Sequence, residues 1–96
     1  MIGEGVGRLY TKRRYRDYQI VDENGNVLVH ITFNTTNTHI REVKVWSYWL
    51  DVDNIKLPPL TPANTPIAYS ILSQYFAPPL AMKILETVKR IFKRWG

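Results

Sequence analysis

Apolar and polar positions alternate through Arg16–Phe33, RDYQIVDENGNVLVHITF, and the alternation is interrupted once, at Asn24-Gly25. Two period-two runs around Asn-Gly predict a β-hairpin, with the dipeptide as a type I′ turn. That turn pairs Asp22 with Val27, Ile20 with Val29, Tyr18 with Ile31 and Arg16 with Phe33 on one side of the ribbon. Val21 with Leu28, Gln19 with His30 and Asp17 with Thr32 fall on the other. The first face is strongly apolar and the second mostly polar, as in an antiparallel sheet covered on one side. A lone hairpin is not stable in water, so this one requires further strands and a covering helix.

The flanking patterns supply them. Upstream, RLYTKRRYRDY (Arg8–Tyr18) shares the parity of Tyr18 and Ile20, so it reads as a loosely ordered backward extension of the first hairpin strand, the alternative being a basic arm that orders on a partner. The three glycines of Met1–Gly7 predict a loose start. Downstream, Asn34–His39 is a polar connector, followed by a third strand through Ile40–Val52. Val43, Val45, Ser47 and Trp49 continue the apolar face, and Glu42, Lys44, Trp46, Tyr48 and Leu50 take the other. Asp51–Pro66 holds four of the six prolines and reads as an irregular crossover. Thr65-Pro66 is an N-cap followed by proline at the first helical position. It opens a short helix with Ile67, Ala68, Ile71, Leu72, Tyr75 and Phe76 on one stripe, ended by Ala77-Pro78-Pro79. In the last helix Leu80, Ala81, Ile84, Leu85, Val88, Ile91, Phe92 and Trp95 lie within an arc of about 140°. Lys83, Glu86, Thr87, Lys89, Arg90, Lys93 and Arg94 fill the opposite side. The expected fold is α+β: an antiparallel meander of three or four strands covered on one face by two C-terminal helices. Its expected organisation is one domain, with a start at 1–7, a sheet at 8–50, a crossover at 51–64 and helices at 65–95.

Composition narrows the chemistry. The 96 residues include no cysteine, which excludes disulfides, thiolate zinc sites and thiol catalysis. No apolar run approaches the ~20 residues of a membrane span. The start lacks the basic and apolar regions of a secretion signal, so an intracellular setting is expected. The net charge is +5 and the sequence pI about 9.7. Five of the thirteen basic residues lie in Arg8–Arg16 and five more in Lys83–Arg94. Such clustering raises nucleic-acid binding as a hypothesis.

Three surfaces are candidates. Lys44, Trp46 and Tyr48 alternate on the polar face of the third strand, beside Gln19, His30 and Thr32. Aromatics beside a cation on a sheet are suited to stacking bases while the charge holds phosphate. The segment Arg8, Tyr10, Lys12, Arg13, Arg14 and Arg16 is suited to phosphate neutralisation, with Tyr15 interleaved. The basic face of the last helix suits nucleic acid, an anionic membrane or water alone. Its apolar stripe is needed by the sheet, so no membrane partner is expected. A catalytic reading rests on Glu42-x-Lys44 with Asp17 or Asp22, which superficially resembles the pattern of metal-dependent nucleases. That family places a helix before its hairpin, and this chain has a glycine-rich basic segment there. Asp51-x-Asp53 reads as exposed turn residues, and His30 and His39 have no metal-ligand spacing. There is no GxSxG, phosphate loop or dinucleotide fingerprint. The expectation is a non-enzymatic, sequence-tolerant binder of single-stranded nucleic acid, without cofactor or metal. The rival is a homo-oligomeric interaction or structural module, a homodimer or a small structural subunit, in which Trp46, Tyr48 and Leu50 form an apolar patch hidden by a partner chain.

Overall fold

The computed structural model describes residues 2–15, 17–36, 39–50 and 54–95. They form β1 (Tyr10–Arg14), β2 (Asp17–Val21), β3 (Val27–Thr36), β4 (His39–Trp46), β5 (Ile55–Leu57), α1 (Thr65–Ser73) and α2 (Pro78–Trp95). The strands make one antiparallel sheet in the order β1-β2-β3-β4-β5, with both helices following it in the chain. The α+β meander is as expected; the sheet has five strands instead of three or four.

The two additional strands have separate causes. Arg14 pairs with Asp17, so the basic segment folds back on β2 instead of prolonging it. Tyr15 accepts φ +52° to make that reversal, an uncommon conformation for a bulky side chain. The alternation Ile55-Lys56-Leu57 is short but buries both of its apolar residues against β4, inside the stretch expected to be irregular. β3 and β4 also extend into the polar connector, to Thr36 and from His39, because their ladder outweighs the turn propensity of those residues.

The turn at Asn24-Gly25 differs from the expected type I′. Only Gly25 has positive φ (+82°), and the Gly25 amide donates to the Asp22 carbonyl while the Asp22 amide donates to Asn26. The loop is therefore Glu23-Asn24-Gly25, a turn with a glycine bulge. Asp22 selects it: its Oδ1 accepts from the amides of Asn24 and Asn26, both at 2.9 Å, and its Oδ2 from Asn26 Nδ2. The longer loop sets Val21 opposite Val27, and an irregularity at Leu28 restores Ile20 to Val29. From there Gln19–His30, Tyr18–Ile31 and Asp17–Thr32 pair as the alternation requires.

The covered face carries Tyr18, Ile20, Val29, Ile31, Phe33, Val43, Val45, Ile55 and Leu57, all buried. Against it lie Ala68 and Leu72 of α1, Phe76, and Leu80, Ala81, Ile84, Leu85, Val88 and Ile91 of α2. Several details depart from the helical pattern. Asn64, not Thr65, occupies the N-cap position of α1, without a side-chain capping hydrogen bond, and Pro78 and Pro79 open α2 instead of merely ending α1. Ile67 is exposed. Thr87, on the polar arc, is fully buried because edge strand β1 reaches over it; its hydroxyl lies 3.0 Å from that of Thr11 and donates to the Lys83 carbonyl. The Trp95 side chain is outside the description. Near the start of the chain, Ile2 bridges to Phe76, the Ala77 amide donates to the Ile2 carbonyl, and Gly3 is buried against Leu80.

Candidate nucleic-acid interface

Both helices pack on one side of the sheet, and the other side is built from two cross-strand ladders. The first runs Lys12, Gln19, His30, Trp46 across β1 to β4. The second runs Arg14, Asp17, Thr32, Lys44, Lys56 across all five strands. Strand neighbours are ~4.8 Å apart, so the cations of β1 stand about 14 Å from Trp46 and Lys44. Between them lies a strip of polar and aromatic side chains. This placement joins the basic segment to the aromatic strand, which the sequence treated as two separate candidates.

The aromatic end is ordered by ring contacts. His30 and Trp46 stack with centroids 4.1 Å apart and planes 8° from parallel. Tyr48 meets both edge-on, at 5.4 Å from His30 and 5.1 Å from Trp46. Trp46 is partly exposed, whereas Tyr48 and Trp49 are each 70% exposed. Trp49 thus leaves the apolar face assigned to it, because β4 ends at Trp46 and the chain turns over Ser47–Leu50. The buried Ser47 hydroxyl locks that turn by donating to the Leu28 carbonyl at 2.7 Å. Leu50 packs on the core instead of joining an outer patch. Tyr48 and Trp49 border a groove of about 800 Å³ with Ile2, Gly3, Val27 and Leu28.

The charges are distributed unevenly. Tyr10, Lys12 and Arg14 share the open side of β1, and the Arg8 guanidinium lies 5.9 Å from the centroid of the Tyr10 ring. The Arg8 amide donates to Glu23, which anchors the start of this segment. Arg13 has the opposite parity and lies 6.0 Å from the Tyr18 ring on the helix side. It is therefore separated from the other candidates. Arg16 lies outside the described residues. Lys44 and Lys56 face each other across β4 and β5 with Glu42 between them, at 3.9 and 3.4 Å.

That arrangement also locates the acid and lysine of the nuclease-like pattern. The Glu42 carboxylate bridges two lysines, and Asp22 is held by the hairpin loop with its pKa lowered, first by the Asn26 amide. Among the described residues no three His, Cys, Asp or Glu side chains converge on a point that could hold a metal ion. Asp51 and Asp53 lie outside the description, as does the His39 side chain. No helix of the described residues is long and apolar enough to cross a membrane.

Compared with known proteins, the chain matches no family model, no curated protein and no solved structure.

Sequence reasoning placed Asp17 and His30 on the open face but missed that they approach each other there. His30 Nδ1 stands 3.8 Å from Asp17 Oδ1, too long for a hydrogen bond. Asp17 Oδ1 and His30 Nε2 are buried without a hydrogen-bond partner. Their facing positions follow from the hairpin register, but no local pattern signals that polar atoms there would be left unpaired.

Proposed function

We propose that this protein binds single-stranded nucleic acid, without catalysis, through the open face of its sheet. The observation that carries the reading is the pair of ladders, which sets Lys12, Arg14 and Lys44 around the His30–Trp46–Tyr48 ring cluster on the side opposite the helices. Cations along β1 and β4 hold the phosphates and release their counterions. Trp46 and Tyr48 stack bases, a contact that every base can make. A single strand suits this surface better than a duplex, because five strands span about 19 Å and a B-form major groove is only about 12 Å wide.

The test is a titration of labelled single- and double-stranded oligonucleotides at several salt concentrations. Replacing Lys12, Arg14 and Lys44 together by Ala is expected to flatten the salt slope by about two units, at ~0.7 per phosphate contact on a single strand. Trp46→Ala is expected to weaken binding by about 1–3 kcal/mol and to leave that slope unchanged, since stacking releases no counterions. Tight binding to duplex alone, or to neither, overturns the reading. A second reading is favoured by one feature, the exposure of Tyr48 and Trp49 on a single locked turn. It makes this end of the sheet a homodimer contact, and sedimentation showing a dimer that Trp49→Ala dissociates, with no oligonucleotide bound, would establish it.

A further inference from the structure

We propose that Asp17 and His30 are the base-reading groups of the open face, selecting bases that carry an exocyclic amino group. This rests on the nucleic-acid reading and contradicts its expected sequence tolerance. His30 is 8% exposed, yet its Nε2 has no hydrogen-bond partner in the protein, and the same holds for Asp17 Oδ1. Buried polar atoms are nearly always paired, and an unpaired one is a standing cost that a ligand donor would remove. These two atoms belong to side chains that approach to 3.8 Å, between His30 Nδ1 and Asp17 Oδ1, on adjacent strands β2 and β3, with His30 in the first ladder and Asp17 in the second. Lys12 and Arg14 lie on one flank, and Trp46, Lys44 and Tyr48 on the other.

The chemistry of the pair decides the class of base. An ionised carboxylate only accepts hydrogen bonds, so Asp17 asks for an N–H donor. Cytosine N4 and adenine N6 supply one at the position where thymine and uracil present a carbonyl oxygen, and the N3–H of thymine or uracil lies between two carbonyl oxygens that the carboxylate repels, so the amino bases are favoured. Neither protein atom is open to solvent, so a side chain has to move for a base to reach them. Tyr48 is the ring placed to do so: it is 70% exposed, sits on a turn, and meets His30 and Trp46 only by its edge. When Tyr48 swings outward, a base enters beside the stacked His30–Trp46 pair with its amino edge toward Asp17 and His30, and the displaced Tyr48 ring is free to stack on a neighbouring base.

The experiment compares oligo(dC) with oligo(dT) of equal length at one salt concentration, so that ring size and charge are matched. Wild type is expected to bind oligo(dC) at least about tenfold more tightly, the discrimination of one good base contact. His30→Phe keeps a ring against Trp46 but removes both nitrogens, and Asp17→Ala removes the acceptor. Each is expected to abolish the dC preference with the salt slope unchanged and the melting temperature equal to or above wild type. Equal binding of the two oligomers by wild type overturns the inference and leaves the nucleic-acid reading standing. A preference that survives both substitutions overturns it too. Failure of every oligonucleotide to bind defeats the underlying reading.

Discussion

Gly3 shows how one residue ties the N-terminus to the core. It has φ +93°, and a Cβ there would stand 2.6 Å from Leu80 Cβ. Gly5 also has positive φ (+67°) but open space around it. Gly5→Ala is therefore expected to cost only the left-handed backbone strain, about 1–2 kcal/mol. Gly3→Ala adds the clash with a helix residue and should cost more in a urea melt. Equal losses would mean that the N-terminus does not dock. Asp22 acts through charge. Three hydrogen bonds to its carboxylate, the Asn26 amide first, lower its folded pKa below the ordinary value. The sign follows from linkage: its contribution is complete above the unfolded pKa and is lost as pH falls through the lowered folded value. Asp22→Asn should lower stability at neutral pH and narrow its gap to wild type in acid, as read by thermal melts across the acid limb.

At the scale of elements, the strand and helix stripes were legible wherever one residue type dominated one face. Ile31 on β3 and Ile84 on α2 are fully buried at the contact between the layers. Either change to Ala is expected to cost about 2–5 kcal/mol, including the cavity left behind. Melting temperatures that do not move would break the face assignment. Thr87 was not legible, because its place on the polar arc is overruled by a strand more than seventy residues earlier. Thr11→Val should cost about 1 kcal/mol by removing the hydroxyl that meets Thr87 at 3.0 Å, with Lys12→Ala near neutral beside it. A Thr11→Val variant as stable as wild type would show that β1 gains nothing from α2.

Across the whole molecule, the two basic clusters end on different sides of the sheet. Lys89, Lys93 and Arg94 are exposed on α2, behind the sheet from the open face. On the proposed reading they act only through a field screened beyond ~10 Å at 0.1 M salt. Replacing all three should weaken oligonucleotide binding modestly and mainly at low salt, unlike the loss of Lys12, Arg14 and Lys44. Arg13→Ala is a sharper test, since its neighbours on β1 face the open side and it does not. It should leave the salt slope nearly unchanged. A large effect of Arg13 or of the helix cations would move the binding surface to the helical side.

By itself, the sequence determined the properties that repeat locally. Alternation from Tyr18 to Ile31 set the hairpin register, and the apolar arc of α2 named its buried face, because side-chain direction has a fixed period in each element. What depends on distant partners was decided by the tertiary structure. Tyr15 reverses the chain because β1 gains a ladder on β2, and Ile55–Leu57 becomes a strand because β4 has an edge to fill. Trp49 stands outside, against its parity, because the Ser47 hydroxyl finds the Leu28 carbonyl and turns the chain there. The candidate site has the same origin. Its residue types could be named in advance, but only strand pairing brings Lys12, Asp17, His30 and Trp46 onto one surface.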